Sequence, residues 1–229
     1  MTEFFAALAL FLLSHSIPAR PATRARLVGA VGLRGYLIGY SILSLGLLAW
    51  LIGAATRAPF VPLWDLTLEQ YYVPVVLMLP AFLLFVGGAI AANPLSIRFR
   101  GARFDPKRPG IVAITRHPIL WGFVLWAASH VVPNGDLVSV ILFGGFALFA
   151  LLAMPLIDRR KRRALGPEWS VLAARTSRLP FAALLAGRTR LRWRRGDLLA
   201  TLALGCGLYA AMLWLHPLLI GPDPTIVFG

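Results

Sequence analysis

The stretch that decides the fold, residues 137–163, reads LVSVILFGGFALFALLAMPLIDRRKRR. Residues 137–157 carry no charge, and they are long enough to cross a bilayer, which takes about 17 to 25 apolar residues in a helix. An acidic residue and five basic residues follow immediately. An apolar run that ends in a basic cluster is typical of a transmembrane helix at its cytoplasmic end. The stretch therefore predicts a membrane-spanning helix.

The whole chain has the composition of a membrane protein. Of its 229 residues, 59% are hydrophobic and only 14% are charged, and the mean hydropathy is +0.75. A soluble domain has about 25% charged residues. We predict an all-α polytopic membrane helix bundle of about six transmembrane helices, forming a single domain over residues 1–229. The first run lacks a basic leader and a cleavage site, so we expect a retained span. The predicted spans are at about 3–18, 34–56, 71–92, 117–133, 137–157 and 198–218.

The basic residues predict the orientation. Of the 23 lysines and arginines, 22 lie in the connections after the first, third and fifth spans, and Arg57 is the exception. The second of these connections includes Arg98 and Arg100. By the positive-inside rule, these connections are cytoplasmic and both chain ends are periplasmic, which predicts a multi-pass protein of the cell inner membrane.

The same distribution accounts for the net charge of +14 without a nucleic-acid partner. The predicted partners are instead the lipid bilayer and, at the cytoplasmic face, anionic lipid. The long basic connection, an amphipathic segment at about 158–197, is expected to lie along the membrane surface. The proline and small residues after Arg178 favour a second short segment that dips back toward the bilayer.

Four histidines have apolar surroundings: His15, His117, His130 and His216. A histidine within or at the end of a span is costly and therefore a functional candidate, although a single one can simply bond to a backbone carbonyl at the interface. Neutral imidazoles in an apolar helix bundle suit haem iron. Cys206 is alone, which excludes an intramolecular disulfide and a thiolate metal cluster.

Depth in the membrane limits which histidines can pair. His130 follows His117 by thirteen residues, which is about 20 Å along a helix. In the predicted topology His15 and His117 share the cytoplasmic level, and His130 and His216 share the opposite level. Geometry alone therefore favours His15 with His117 as two ligands of one haem.

Two charged residues flank the predicted spans at one level. Arg116 is a candidate partner for an anionic group such as a haem propionate, or else an interfacial arginine of the positive-inside kind. Asp158, at the end of the fifth span, is expected to pair with it. Pro118 suits the first turn of a helix, which would leave the imidazole of His117 at the helix start and at the membrane surface.

Several motifs carry a resemblance to a known family. They are HSIPARP at 15–21, ITRHPILWGFVLWAASH at 114–130, DRRKRRALGPEW at 158–169, RTSRLPFAALLAGR at 175–188 and HP at 216–217. With these motifs the chain resembles the NnrU family of bacterial membrane proteins and the related plant 15-cis-zeta-carotene isomerases over most of its length.

The resemblance implies a function. The plant isomerases are haem-b membrane enzymes of redox-dependent cis–trans isomerisation, and their proposed axial ligands correspond to His15 and His130. The family's namesake is linked to denitrification through nitric oxide reduction. We therefore expect haem b. The candidate iron ligands are His15, which both arguments include, His130, which the resemblance implies, and His117, which the depth argument favours. Arg116 remains a further candidate cofactor-binding residue because of its charge. One departure is Ala127, which stands where the isomerases have a cysteine.

Two other functions stay open from the sequence. One is a non-enzymatic accessory role in the maturation of nitric oxide reductase or another membrane complex. The other is S-adenosylmethionine-dependent methyl transfer, because RHPILWG at 116–122 is similar to the RHPxYxG segment of isoprenylcysteine carboxyl methyltransferases. The acidic pair that those enzymes carry before their glycine segment is replaced here by Asp158 and Arg159.

Overall fold

The computed structural model describes residues 1–17, 20–97, 99, 101 and 103–228, so the predicted cytoplasmic Arg98 and Arg100 lie outside the described residues, as do two residues of the HSIPARP motif. This part of the chain is helical and contains no β-strand. Two short 3₁₀ helices lie at Gly110–Ala113 and Pro224–Phe228. The α-helices are α1 (Thr2–Ser16), α2 (Pro21–Arg57), α3 (Leu68–Ile90), α4 (Pro118–Val131), α5 (Leu137–Leu165), α6 (Pro167–Ala174), α7 (Ala182–Leu185) and α8 (Arg195–Leu219).

Six apolar helices coincide with the six predicted spans, which confirms an all-α polytopic membrane protein. Four of them, α2, α3, α5 and α8, are long and apolar enough to cross a bilayer. The other two, α1 and α4, have 15 and 14 residues, about 22 Å of helix against a hydrocarbon core of about 30 Å. The inner membrane, the sidedness of the loops and the periplasmic chain ends stay predictions.

The first basic residues of the predicted surface segment belong to α5 and do not form a separate element. Helix α5 continues past Asp158 to Leu165, so the first basic cluster forms its last two turns. Gly166 then adopts a positive φ of 55°, which ends α5, and Pro167 occupies the first turn of α6. The position of this segment on a membrane surface stays a prediction.

Large apolar side chains face outward along the long helices. On α2 they include Ile38, Ile42 and Leu45, and on α8 they include Leu204 and Trp214. Apolar faces of this extent would aggregate in water, whereas lipid chains solvate them at no cost. The exposure is therefore the expected surface of a membrane helix.

The described chain forms two compact units. The first comprises Met1–Leu63 with Asp136–Leu142. In it α1 packs on the second half of α2 through buried Phe4 and Leu51. Glu3 accepts hydrogen bonds at 2.6 Å from Arg57 Nη2 and at 3.1 Å from Trp50 Nε1, so the start of α1 lies beside the end of α2. The two helices are therefore antiparallel.

The second unit comprises Trp64–Gly135 with Phe143–Gly229 and is built around α3. Helices α4 and α8 both pack directly against α3. Glycines make this possible: a Cβ at Gly88 would lie 2.7 Å from Ile119 Cγ1, and a Cβ at Gly205 would lie 2.8 Å from Leu83 Cδ2. Without a hydrophobic force between helices in lipid, such close backbone approach supplies much of the packing energy. The single-domain assignment made from the sequence stays a prediction.

Substitution of Gly88 by alanine should therefore destabilise the second unit. The new methyl group would also lie 3.0 Å from Pro118 Cγ, and overpacking of this kind costs about 1–3 kcal/mol. The matched control is Gly144→Ala on α5, where a Cβ meets nothing within 4 Å. Thermal unfolding in detergent should show a lower midpoint for Gly88→Ala only. Equal midpoints for the two variants would contradict the close α3–α4 contact.

Candidate functional site

The predicted pair between Arg116 and Asp158 is confirmed, and it is buried. Arg116 directly precedes α4, and Asp158 lies on α5. The guanidinium donates from Nε at 3.0 Å to Oδ1 and from Nη2 at 2.7 Å to Oδ2, which is a bidentate arrangement. Only 8% of each residue is exposed. A charge pair removed from water in this way is held by geometry as well as by attraction.

His117 joins the same pair and is fully buried, with 0% exposure. Its Nε2 lies 3.1 Å from Asp158 Oδ1, and its Nδ1 lies 2.7 Å from Ser96 Oγ. A neutral ring that donates from Nε2 to the carboxylate accepts the Ser96 hydroxyl at Nδ1, which satisfies both nitrogens. As predicted, Pro118 occupies the first turn of α4. The imidazole is enclosed by protein, and its depth relative to the membrane surface stays a prediction.

The hydrogen bonds follow the serine–histidine–aspartate order of a hydrolytic triad, from Ser96 through His117 to Asp158. Unlike a catalytic triad, the cluster is closed to a substrate. A catalytic serine must reach a substrate carbonyl, and Ser96 is only 3% exposed. Asp158 is also held by Arg116 and approached at 3.5 Å by Arg178 Nε. The cluster is therefore a structural junction that joins the loop after α3, the start of α4 and the last two turns of α5.

The segment after α6 closes over this junction. Arg116 N donates to Ser177 O at 2.9 Å, and both Thr115 Oγ1 and Trp121 Nε1 donate to Arg178 O, at 2.8 and 2.7 Å. The ITRHP motif and the RTSRLPF motif therefore lie against each other and share their polar groups. Their joint presence in the sequence has a structural cause, since each satisfies buried donors and acceptors of the other.

His130 lies near the opposite end of α4, thirteen residues beyond His117, so the structure separates these two candidate ligands as the depth argument predicted. Its Nδ1 lies 2.7 Å from the carbonyl oxygen of Trp126, one turn earlier. That carbonyl can only accept, so Nδ1 carries the proton and Nε2 is the basic nitrogen. The rings of Trp126 and Phe143 lie 5.9 and 5.3 Å from the imidazole.

His15 lies in the first unit and has the same local arrangement. Its Nδ1 is 2.8 Å from the carbonyl oxygen of Phe11, again one turn earlier, so Nε2 is again the basic nitrogen. The ring of Phe11 lies 4.2 Å from the imidazole, and that of Tyr40 meets it edge-on at 5.7 Å. His216 is near enough to His130 to interact electrostatically, and its Nδ1 lies 2.7 Å from Pro222 O.

The hydrogen bonds of these histidines can be compared with those of histidines that bind a metal. A ligating histidine usually donates its second ring nitrogen to a carbonyl or carboxylate, which fixes the ring and makes the other nitrogen more basic. His15, His130 and His216 all meet this requirement. In His117 both ring nitrogens are engaged within the junction. Each of the other three rings, taken singly, therefore has a basic nitrogen that suits an iron ligand, and His117 fits a structural role.

Sequence reasoning missed several residues of the junction. Asn93 donates to Arg116 O at 2.8 Å and accepts from Leu95 N at 3.0 Å, so it shapes the loop that carries Ser96. Trp169 and Arg178 lie within motifs but were given no role. A signal existed only for Asn93 and Ser96, which are polar residues directly after an apolar helix.

The fold and these sites define a helical membrane protein with a buried Arg–His–Asp junction and separate histidines in aromatic surroundings. The family profile described as "NnrU protein" matches residues 3–224, so the chain belongs to the NnrU family. It is 34% identical over 118 residues to the chloroplastic 15-cis-zeta-carotene isomerase of Arabidopsis thaliana, and 39% identical over 82 residues to that of Zea mays.

These alignments are partial. They cover 49% and 36% of this chain, and 31% and 22% of the two plant proteins, so the chain spans less than a third of the length of the curated relatives it matches. No solved structure matches the chain.

Proposed function

We propose that this NnrU-family protein binds haem b, with His130 and His15 as the axial ligands, and that it acts as a redox-dependent membrane isomerase. The observation that carries the proposal is the 2.7 Å hydrogen bond from His130 Nδ1 to Trp126 O. It fixes the tautomer and aims a basic Nε2 away from its own helix. Haem b would supply one-electron redox chemistry at this position.

His15 supports the proposal by the same hydrogen-bond pattern, and both rings have aromatic neighbours that suit a porphyrin face. The pairing of these two histidines, in preference to His15 with His117, rests on the resemblance to the plant isomerases. It requires that α1 or α4 is not a simple crossing of the membrane, because the predicted topology puts His15 and His130 at opposite levels. The role of Arg116 as a haem-propionate partner is not part of this proposal, since its guanidinium is directed to Asp158.

The isomerase activity rests on the two plant relatives, which are named for isomerisation of 15-cis-zeta-carotene. The chemistry suggests an apolar polyene as the substrate class, because such a molecule reaches the site from the lipid. Ala127, buried in α4 where the isomerases have a cysteine, offers no alternate iron ligand. This departure counts against 15-cis-zeta-carotene itself as the substrate.

The cellular setting belongs to the same proposal. The protein is placed in the bacterial inner membrane, with the three basic connections in the cytoplasm and both chain ends in the periplasm. Its link to denitrification and nitric oxide metabolism rests on the family alone. Anionic lipid at the cytoplasmic face is the proposed general partner.

The test is the ultraviolet–visible spectrum of detergent-purified protein from haem-replete cells, oxidised and then reduced with dithionite. We expect a Soret band, with sharp α and β bands after reduction, as a low-spin iron with two histidine ligands gives. A featureless spectrum at full protein yield would sink the haem proposal.

A spectrum without haem bands would favour one of two alternative functions. An accessory role predicts co-purification with nitric oxide reductase or another membrane complex, and no cofactor. A methyltransferase predicts S-adenosylmethionine binding that depends on Arg116 and His117. The complete burial of His117 argues for its structural role and against the second alternative.

A further inference from the structure

An open cleft lies beside the buried junction, and the haem proposal does not use it. Its volume is about 410 Å³. It is bordered by α6, by the segment after α6 and by the start of α7. Three guanidinium groups, two hydroxyl groups and one indole supply its polar lining. The lining residues that matter are Arg116, Trp169, Thr176, Ser177, Arg178 and Arg188.

The lining has an excess of positive charge. Asp158 contacts two of the lining arginines, and its carboxylate is already shared by Arg116, His117 and Arg178. Arg188 donates from Nη1 to the carbonyl oxygens of Ala174 and Thr176, at 2.9 and 3.1 Å. Within the described part of the chain, no carboxylate lies within ion-pair distance of Arg188. The cleft therefore attracts an anion.

The indole of Trp169 provides an independent sign of a ligand. Its Nε1 is buried and has no hydrogen-bond partner among the described residues. An indole N–H can only donate, so the atom it lacks is an acceptor such as a phosphate oxygen. The ring is held by two cations, with Arg162 Cζ 4.9 Å and Arg116 Cζ 5.9 Å from its centroid. Both contacts favour this orientation of the ring.

Exposed apolar side chains lie on the same elements that border the cleft, and one of them, Leu179, lines it. Leu179 is 64% exposed, Leu185 is 87% exposed, and Val171 and Phe181 are more than half exposed. Phe181 has a positive φ of 63°, which a bulky residue rarely adopts, and its N–H is tied to Ile114 O at 2.8 Å. A small soluble anion gains nothing from these side chains, whereas acyl chains would cover them.

We propose that this cleft binds the phosphate group of an anionic phospholipid, with Arg178, Arg188 and the Trp169 indole as its donors and the exposed leucines against the acyl chains. This is a defined headgroup site, beyond the general attraction of basic residues to a membrane. It is independent of haem, so either proposal can fail without the other.

The experiment measures the thermal unfolding midpoint of the full-length protein in detergent against concentration of dioctanoyl-phosphatidylglycerol. Two probes each lack one half of the ligand: dioctanoylglycerol lacks the phosphate, and inorganic phosphate lacks the acyl chains. We expect a saturable upward shift with the phospholipid and none with either partial probe. An equal shift with inorganic phosphate would overturn the lipid assignment, and an equal shift with dioctanoylglycerol would overturn the headgroup site.

Variants then locate the site. Arg188→Gln should weaken the apparent lipid affinity about tenfold, the effect of one charge-assisted hydrogen bond. Trp169→Phe should weaken the apparent lipid affinity several-fold, about the effect of one neutral hydrogen bond, with an aromatic ring kept in place.

The matched control is Arg190→Gln, which changes an exposed arginine outside the lining and should bind as the parent does. If all three variants bind alike, the cleft is not the site. Trp169→Phe keeps the test valid if Arg188→Gln unfolds.

Discussion

Asp158→Ala is expected to destabilise the folded protein by about 3–5 kcal/mol. The substitution leaves the buried Arg116 guanidinium without its bidentate partner, and removing one member of a buried charge pair costs about this much. It also takes the acceptor from His117 Nε2. Thermal or chemical unfolding in detergent, followed by circular dichroism, measures the effect.

The matched control for this prediction is Glu168→Ala, which removes an exposed carboxylate from α6 and should leave the midpoint within about 0.5 kcal/mol of the parent. The double variant Arg116→Met with Asp158→Ala should recover part of the loss, because no unpaired charge then remains buried. A midpoint for Asp158→Ala as high as that of the parent would show that the junction does not stabilise the fold.

The second large effect concerns haem. His130→Ala should lower the Soret absorbance per mole of purified protein more than tenfold, since loss of even an outer partner of a metal site costs about 10–100-fold in affinity. His15→Ala should have a comparable effect if it is the second ligand. A pyridine haemochrome titration gives the haem content of each variant directly.

His216→Ala is the control for that experiment. Its imidazole is near that of His130 and is also bonded through Nδ1 to a carbonyl, so it matches His130 in type and level. We expect it to keep the parent spectrum. If His216→Ala loses haem while His15→Ala keeps it, the pair is His130 with His216, and the assignment drawn from the resemblance is wrong.

The Arg116–Asp158 pair was predictable because it depends only on the depth of the two residues in the membrane. Arg116 and Asp158 flank spans that end on the same side, and a buried charge needs an opposite partner, so their pairing followed from topology. The same reasoning separated His117 from His130, because thirteen residues of helix fix their distance. These inferences need only helix geometry and the order of the spans.

The surroundings of His117 were not predictable in the same way. A histidine before a helix-starting proline looks interfacial in sequence, and it is enclosed only because Ser96 and the segment at Ser177 fold over it from distant parts of the chain. The cleft beside Trp169 was also not predictable from the sequence. Its lining comes from positions separated by loops whose course the apolar pattern does not specify.

The sequence by itself determined that lipid surrounds most of this protein and that its apolar segments are helices. A long uncharged run in lipid must pair its own backbone groups, so it forms a helix whatever its neighbours are, and the basic residues on alternate loops indicate its direction. Only the tertiary structure decided which polar side chains meet. The contacts of the junction join residues 21 to 63 positions apart, and their formation depends on close glycine-mediated helix packing that local sequence does not encode.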